Sequence, residues 1–88
     1  MLKVYKYPLE VTDDQVVKMP KLRTPLSLMV QQGVPCVWAL VKTRDELQDV
    51  KFKIFGTGHE VKDVLGYSYL GSFMILEGTL VFHVWYQQ

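Results

Sequence analysis

The fold is decided by residues 24–43, which read TPLSLMVQQGVPCVWALVKT. Glycine tolerates positive φ, so Gln32-Gly33 suits a tight reversal, and the stretch predicts a hairpin of two strands, Thr24–Gln31 and Val34–Thr43. In the second strand both sets of alternating residues are apolar. A strand of this kind is covered on both faces, by a second sheet, a helix or another subunit.

Period-two patterns separated by turn residues continue on either side of this hairpin. They predict further strands at Leu2–Leu9, Val16–Met19, Val50–Phe55, Tyr67–Leu76 and Thr79–Tyr86. Glu77-Gly78 is typical of a hairpin turn, Gly71 predicts a bulge or a close approach, and Thr43–Asp49 is too short to predict a helix. The sequence therefore predicts an all-β fold, a small antiparallel β-sandwich or partly open barrel of about seven strands, as a single domain over residues 1–88.

The composition combines many apolar side chains with a balanced charge. Hydrophobic residues make up 49% of the chain and the net charge is +1. The surplus of apolar material predicts a tight two-layer core, a subunit interface or a ligand site. The balanced charge argues against a general nucleic-acid binder. Lys51 and Lys53 alternate with apolar residues and are predicted to face solvent.

The sequence also suggests a cellular location. Cys36 is the single cysteine and lies in an apolar run, which predicts a buried small hydrophobe and no disulfide. The first residues show no signal-peptide pattern, and the apolar run Val34–Val41 is far shorter than the roughly 18 residues of a membrane span. We therefore expect a cytoplasmic protein without a membrane partner.

The strongest candidate for a ligand site is the loop Gly56-Thr57-Gly58-His59. Two glycines allow backbone N–H groups to converge in a nest that binds anions. Thr57 adds a hydroxyl group, His59 a titratable donor and Lys62 a nearby cation. The G-K-[ST] ending of a phosphate-binding P-loop is missing. The structural alternative is a strand-to-loop corner that needs positive φ, with His59 capping a carbonyl group.

Familiar catalytic and metal-binding patterns are missing from the sequence. Only two histidines and scattered carboxylates are available, so no metal ion, no cofactor and no catalytic residue is predicted. Acid–base chemistry by His59 with Glu60 or Asp63 stays open as an alternative, and would make the protein a nucleotide hydrolase. The main expectation is a protein that is not an enzyme.

The large aromatic side chains divide into two groups. Trp38 is predicted to lie in the core, because its strand is apolar all round. Trp85 and His83 lie on the same face of the last predicted strand, and Leu80, Phe82, Val84 and Tyr86 lie on its other face. Trp85 can cover a second core, form a subunit contact or stack on a ligand ring, and Tyr69 is the other stacking candidate.

With these motifs identified, the chain resembles a family of short proteins encoded largely by bacteriophage genomes. The matching motifs follow in order along nearly the whole chain: Y-K-Y-P-L at Tyr5–Leu9, W-A-L-V at Trp38–Val41, F-x-I-x-G-T-G-H at Phe52–His59, Y-x-G-[ST] at Tyr69–Ser72 and L-V-x-H-V-aromatic at Leu80–Trp85. The chain departs from the pattern at Ser72, where many members have threonine, and in the insertion-like segment Glu60–Gly66.

The resemblance implies a phage origin and a non-enzymatic role against host defence. The expected function is an oligomeric sponge that sequesters a cyclic nucleotide or ADP-ribose type of immune signal in the host cytoplasm. Its anion would bind at Gly56–Gly58 with help from Lys62 and Arg44, and its base would stack on Tyr69 or Trp85. The alternatives are a protein–protein inhibitor of a host defence enzyme and a small virion or accessory structural protein. In each case a homo-oligomer is expected, because the chain is short and its centre is apolar on both faces.

Overall fold

The computed structural model describes residues 1–87, which form seven β-strands and no helix. The strands are β1 (Leu2–Pro8), β2 (Asp14–Pro20), β3 (Arg23–Gln31), β4 (Val34–Lys42), β5 (Leu47–Gly56), β6 (Tyr67–Ile75) and β7 (Leu80–Gln87). The all-β prediction is confirmed. No helix in this part of the chain is long and apolar enough to cross a membrane.

The strands form two separate antiparallel sheets that pack as a sandwich. One sheet has three strands in the order β1-β4-β3, and the other has four in the order β2-β5-β7-β6. The predicted hairpin joins β3 to β4: Gln31 pairs with Val34, and both Gln32 and Gly33 have positive φ, as a two-residue hairpin turn requires. The small β-sandwich is therefore confirmed, and its two sheets do not close on each other.

The core lies between the inner faces of the two sheets. In β4 the inner set is Val37, Ala39 and Val41, all with 0% exposure. The four-stranded sheet contributes Met19, Val50, Phe52, Ile54, Phe73 and Val84. Fully burying one large apolar side chain contributes roughly 1.5–3 kcal/mol, so this layer is the main source of stability.

Two β-bulges change which residues share a face. A bulge between Pro25 and Ser27 separates Leu26, which is exposed, from Leu28, which packs against the core. Regular alternation along this strand predicts that Leu26, Leu28 and Val30 share one face, and the bulge makes that prediction wrong at Leu26. The second bulge contains Gly71, where a Cβ atom would lie 3.8 Å from Leu28 Cδ2 of the facing sheet. The bulge predicted at Gly71 is therefore confirmed, whereas 3.8 Å is an ordinary van der Waals distance and the alternative of a close approach is not.

Two further expectations are corrected by the tertiary structure. Trp38 lies on the outer face of the three-stranded sheet and is only half-buried, so its assignment to the core is wrong. Lys53 points outward as predicted but is only 8% exposed, because neighbouring side chains cover it. Its strand, β5, lies inside the four-stranded sheet between β2 and β7.

Candidate functional site

The outer face of the four-stranded sheet carries a hydrogen-bonded cluster centred on His83. Its Nε2 lies 2.8 Å from Thr57 Oγ1, and its Nδ1 lies 2.9 Å from Tyr69 Oη. The three residues meet because β7 lies between β5 and β6, and Thr57 directly follows β5. Both ring nitrogens of His83 are therefore engaged by neighbouring hydroxyl groups.

The directions of these hydrogen bonds follow from the Thr57 hydroxyl. This hydroxyl donates to the carbonyl oxygen of Val81 at 3.3 Å, so its own oxygen is the acceptor for His83. On this basis we assign the proton of His83 to Nε2, because Nδ1 can then accept from the Tyr69 hydroxyl and each hydrogen of the cluster has an acceptor within the protein. We assign a continuous chain, Tyr69 to His83 to Thr57 to Val81, in which every hydroxyl and imidazole hydrogen has an acceptor.

An aromatic platform adjoins this cluster. Trp85 packs edge-on against Tyr69, with ring centroids 5.0 Å apart, and against Phe55 at 6.0 Å. The pairing of the strands brings these rings together. Trp85 on β7 lies opposite Tyr69 on β6, and Phe55 on β5 lies opposite His83 on β7. Phe55 is 6% exposed and supports the platform from below, whereas Tyr69 is 53% exposed. The exposed part of the platform is the Tyr69 ring.

A buried lysine lies next to the platform. Lys53 is opposite Trp85, and its Nζ donates to Asp14 Oδ1 at 2.6 Å and lies 5.4 Å from the centroid of the Tyr67 ring. The hydrogen bond to Asp14 outweighs desolvation and raises the pKa of Lys53, so the ammonium group stays charged. A groove of about 360 Å³ runs beside it, lined by Asp14, Gln15, Val16, Lys51, Lys53 and Tyr67.

The glycine loop forms a tight β-turn. His59 N donates to Gly56 O at 3.1 Å, and Gly58 has φ +85°, which is typical of the third residue of a type II turn. At Gly56 an added Cβ would lie 3.1 Å from His59 Nδ1, so the exposed His59 side chain would have to shift slightly. Thr57 N donates to Val81 O at 3.1 Å. The amides of Thr57 and His59 therefore already have carbonyl partners, and this turn supplies fewer free donors than an anion nest needs.

The two cations predicted from the sequence have other positions and partners: Lys62 pairs with a carboxylate of its own loop, and Arg44 is far from the glycine loop. Lys62 forms an exposed ion pair with Glu60 at 3.9 Å. Arg44 lies in the turn before β5, whereas Thr57 follows its far end, so a strand of ten residues, roughly 33 Å, separates them. Of the residues proposed from the sequence, the structure brings together Thr57, Tyr69 and Trp85.

Sequence reasoning missed several members of the site. The sequence places His83 only on the same face of its strand as Trp85. It indicates no part in a ligand site for Phe55, Lys53 or Tyr67. The available signal was alternation, which places residues on a face but does not reveal which strands are neighbours. Among residues 1–87, no three His, Cys, Asp or Glu side chains converge so as to hold a metal ion.

Comparison with known families covers the full length of the chain. Residues 1–88 match the family described as "Domain of unknown function (DUF7352)". The chain belongs to the DUF7352 family. No curated protein and no solved structure matches it. The geometry of the outer face of the four-stranded sheet is therefore what indicates the function of this DUF7352 domain.

Proposed function

We propose that the protein is a non-enzymatic binding protein that takes a small anionic ligand with a planar ring on the outer face of its four-stranded sheet. The ligand class is a cyclic nucleotide or an ADP-ribose derivative. In line with the phage resemblance, the ligand would be an immune signal sequestered in the host cytoplasm. The observation that carries the proposal is an exposed, fixed aromatic ring with an unpaired lysine two strands away on the same face of the sheet.

The ring of the ligand would stack on Tyr69. This side chain is more than half exposed, yet His83 holds its hydroxyl group and Trp85 packs against its ring. A ring fixed before binding loses little conformational freedom when a ligand arrives. Stacking of a base on an aromatic side chain contributes about 1–3 kcal/mol.

The anionic group would be held by Lys51. This residue is exposed, lies two positions before Lys53 on the same face of β5, and forms no ion pair with any residue between 1 and 87. The charge of Lys53, in contrast, is compensated by Asp14. Lys51 lies two strand spacings, roughly 10 Å, across the sheet from β6 and two residues, roughly 7 Å, along it from the row of Tyr69. The resulting separation, roughly 12 Å, is spanned by the long lysine side chain together with a nucleotide that stacks its base on Tyr69.

The geometry favours binding over catalysis. General acid–base catalysis needs a side chain with a proton site directed at the substrate. With the proton assigned to Nε2, His83 donates to the Thr57 hydroxyl and cannot accept its proton, while Nδ1 already accepts from Tyr69. The histidine therefore serves to hold the platform in place.

The proposal is tested by differential scanning fluorimetry and calorimetry with a panel of cyclic nucleotides and ADP-ribose derivatives. At least one ligand should raise the melting temperature, and Tyr69→Leu should abolish the shift. Tyr5→Leu is the matched control, since Tyr5 is 41% exposed on the other sheet. Lys51→Ala should weaken binding, and the weakening should shrink at high salt.

Mass spectrometry of the recovered ligand separates the functional classes. An unchanged ligand supports sequestration, whereas a hydrolysed ligand makes the protein an enzyme. If no compound in the panel shifts the melting temperature of the wild-type protein, the proposal is wrong.

A further inference from the structure

The outer face of the three-stranded sheet is largely apolar and uncovered. We call it the apolar face. Its exposed members are Leu2, Val4, Leu26, Met29 and Val34, each between 42% and 58% exposed, and the half-buried Trp38 and Leu40 lie between them. Exposed apolar surfaces of this extent usually mark sites of protein association.

The size of the apolar face restricts what can cover it. Three strands at a spacing of about 4.8 Å give a width of roughly 10–14 Å, and nine residues give a length of roughly 30 Å. The resulting area, roughly 400 Å², is about half of the 800 Å² that each partner contributes to a standard interface. A second globular copy of the chain would therefore need additional surface, whereas an α-helix, about 10–12 Å in diameter, matches the width.

The charges of this sheet are all positive. The three strands contain no aspartate and no glutamate, although the whole chain has 9 acidic residues. On the apolar face, Lys42 is exposed at one end. Lys6 Nζ crosses above β4 and donates to Gln31 Oε1 at 2.7 Å, so its charge meets only a neutral amide.

These lysines distinguish between possible partners. A second copy would bring further lysines towards Lys6 and Lys42, with no carboxylate on either apolar face. Charge complementarity instead requires carboxylates from the partner. A carboxylate can replace the Gln31 amide at Lys6 and form a stronger, charge-assisted hydrogen bond.

We propose that the apolar face binds an acidic amphipathic α-helix of a partner protein. The apolar stripe of the helix packs on Trp38 and Leu40, and carboxylates along its edges meet Lys6 and Lys42. This surface lies on the opposite side of the sandwich from the Tyr69 platform, so the proposal stands independently of the ligand site.

The test uses synthetic helical peptides as probes. One stapled peptide of about 18 residues carries a leucine stripe flanked by glutamates, and matched peptides carry glutamine or lysine in place of glutamate. In a Trp85→Phe background, the fluorescence of Trp38 reports binding. The glutamate peptide should bind at least about tenfold more tightly than the lysine peptide, and added salt should reduce this difference.

Matched variants locate the site. Met29→Ser should weaken binding, while Met74→Ser should leave it unchanged, since Met74 is 61% exposed on the other sheet. Lys42→Glu should reduce or reverse the preference for the glutamate peptide. Amide chemical-shift changes should be confined to β1, β3 and β4.

Four results would overturn the proposal. The first is absence of binding by the glutamate peptide, and the second is equal affinity for the glutamate and lysine peptides. The third is a dimer in light scattering that Met29→Ser converts to a monomer, which would assign the apolar face to a second copy. The fourth is binding to anionic phosphatidylglycerol vesicles without binding to any peptide, which would assign it to a membrane surface.

Discussion

Replacing Thr57 with valine tests the hydrogen-bond chain that holds the platform. Valine keeps the shape of threonine but removes the hydroxyl group that accepts from His83 Nε2 and donates to Val81 O. The backbone bond from Thr57 N to Val81 O remains, so the turn itself is retained. The substitution therefore removes only the hydrogen bonds of the Thr57 side chain.

The expected loss of stability follows from the two bonds. A side-chain hydrogen bond contributes about 0.5–1.5 kcal/mol net, and the 3.3 Å bond to Val81 belongs at the weak end of this range. Thr57 is exposed, so water can reach the freed Nε2–H group. We expect Thr57→Val to lower the free energy of unfolding by about 1 kcal/mol.

The assays are urea unfolding and imidazole nitrogen NMR at mildly alkaline pH. In the wild-type protein the nitrogen shifts should report the Nε2–H tautomer of His83, and in Thr57→Val the Nδ1–H tautomer should become populated. Thr57→Ser keeps the hydroxyl group and should keep the wild-type tautomer. A wild-type protein in the Nδ1–H form, or a valine variant with unchanged tautomer and stability, would refute the assigned chain.

Two further predictions concern the turn and the buried lysine. Gly58→Ala should lower the free energy of unfolding by about 1–2 kcal/mol, because the residue has φ +85°. Gly56→Ala should lower it by less, because only the exposed His59 side chain has to move. Equal losses for the two variants in urea unfolding would contradict this. The raised pKa of Lys53 means that the unfolded chain releases this proton first, so stability should fall as pH rises above about 10. Asp14→Asn should make that fall shallower in unfolding curves across this pH range, and a slope equal to wild type would contradict the assignment. Tyr7, whose pKa burial raises, gives a fall of the same sign that remains in the variant.

Local chemistry was enough to predict the strands and the turn between β3 and β4. Gln32-Gly33 has the positive φ values of the two-residue hairpin turn predicted from residue type. The two-residue turn predicted at Glu77-Gly78 is instead part of a longer loop, because Ile75 pairs with Leu80 and Leu76 also has positive φ. Errors occurred where pairing overrode local preference. Leu47–Asp49 forms the end of the polar stretch Thr43–Asp49, yet it belongs to β5 because β2 pairs with it.

The candidate site could be predicted only in part. The glycine loop looks like an anion-binding motif in the sequence. In the structure, however, the backbone amides of Thr57 and His59 donate hydrogen bonds to carbonyl groups of the protein. The residue that organises the site, His83, carries no motif of its own. Its role comes from lying between β5 and β6, and this position depends on the order of strands in the sheet.

Residues 34–41 could be predicted from the sequence alone as a strand with two apolar faces. Alternation places Val37 and Trp38 on opposite faces, because successive side chains in a strand point to opposite sides. The packing of the two sheets makes the Val37 face part of the core and leaves the Trp38 face on the outside of the sandwich. Alternation specifies only relative direction within a strand, whereas burial depends on which sheet packs against each face, and that contact joins residues far apart in the sequence.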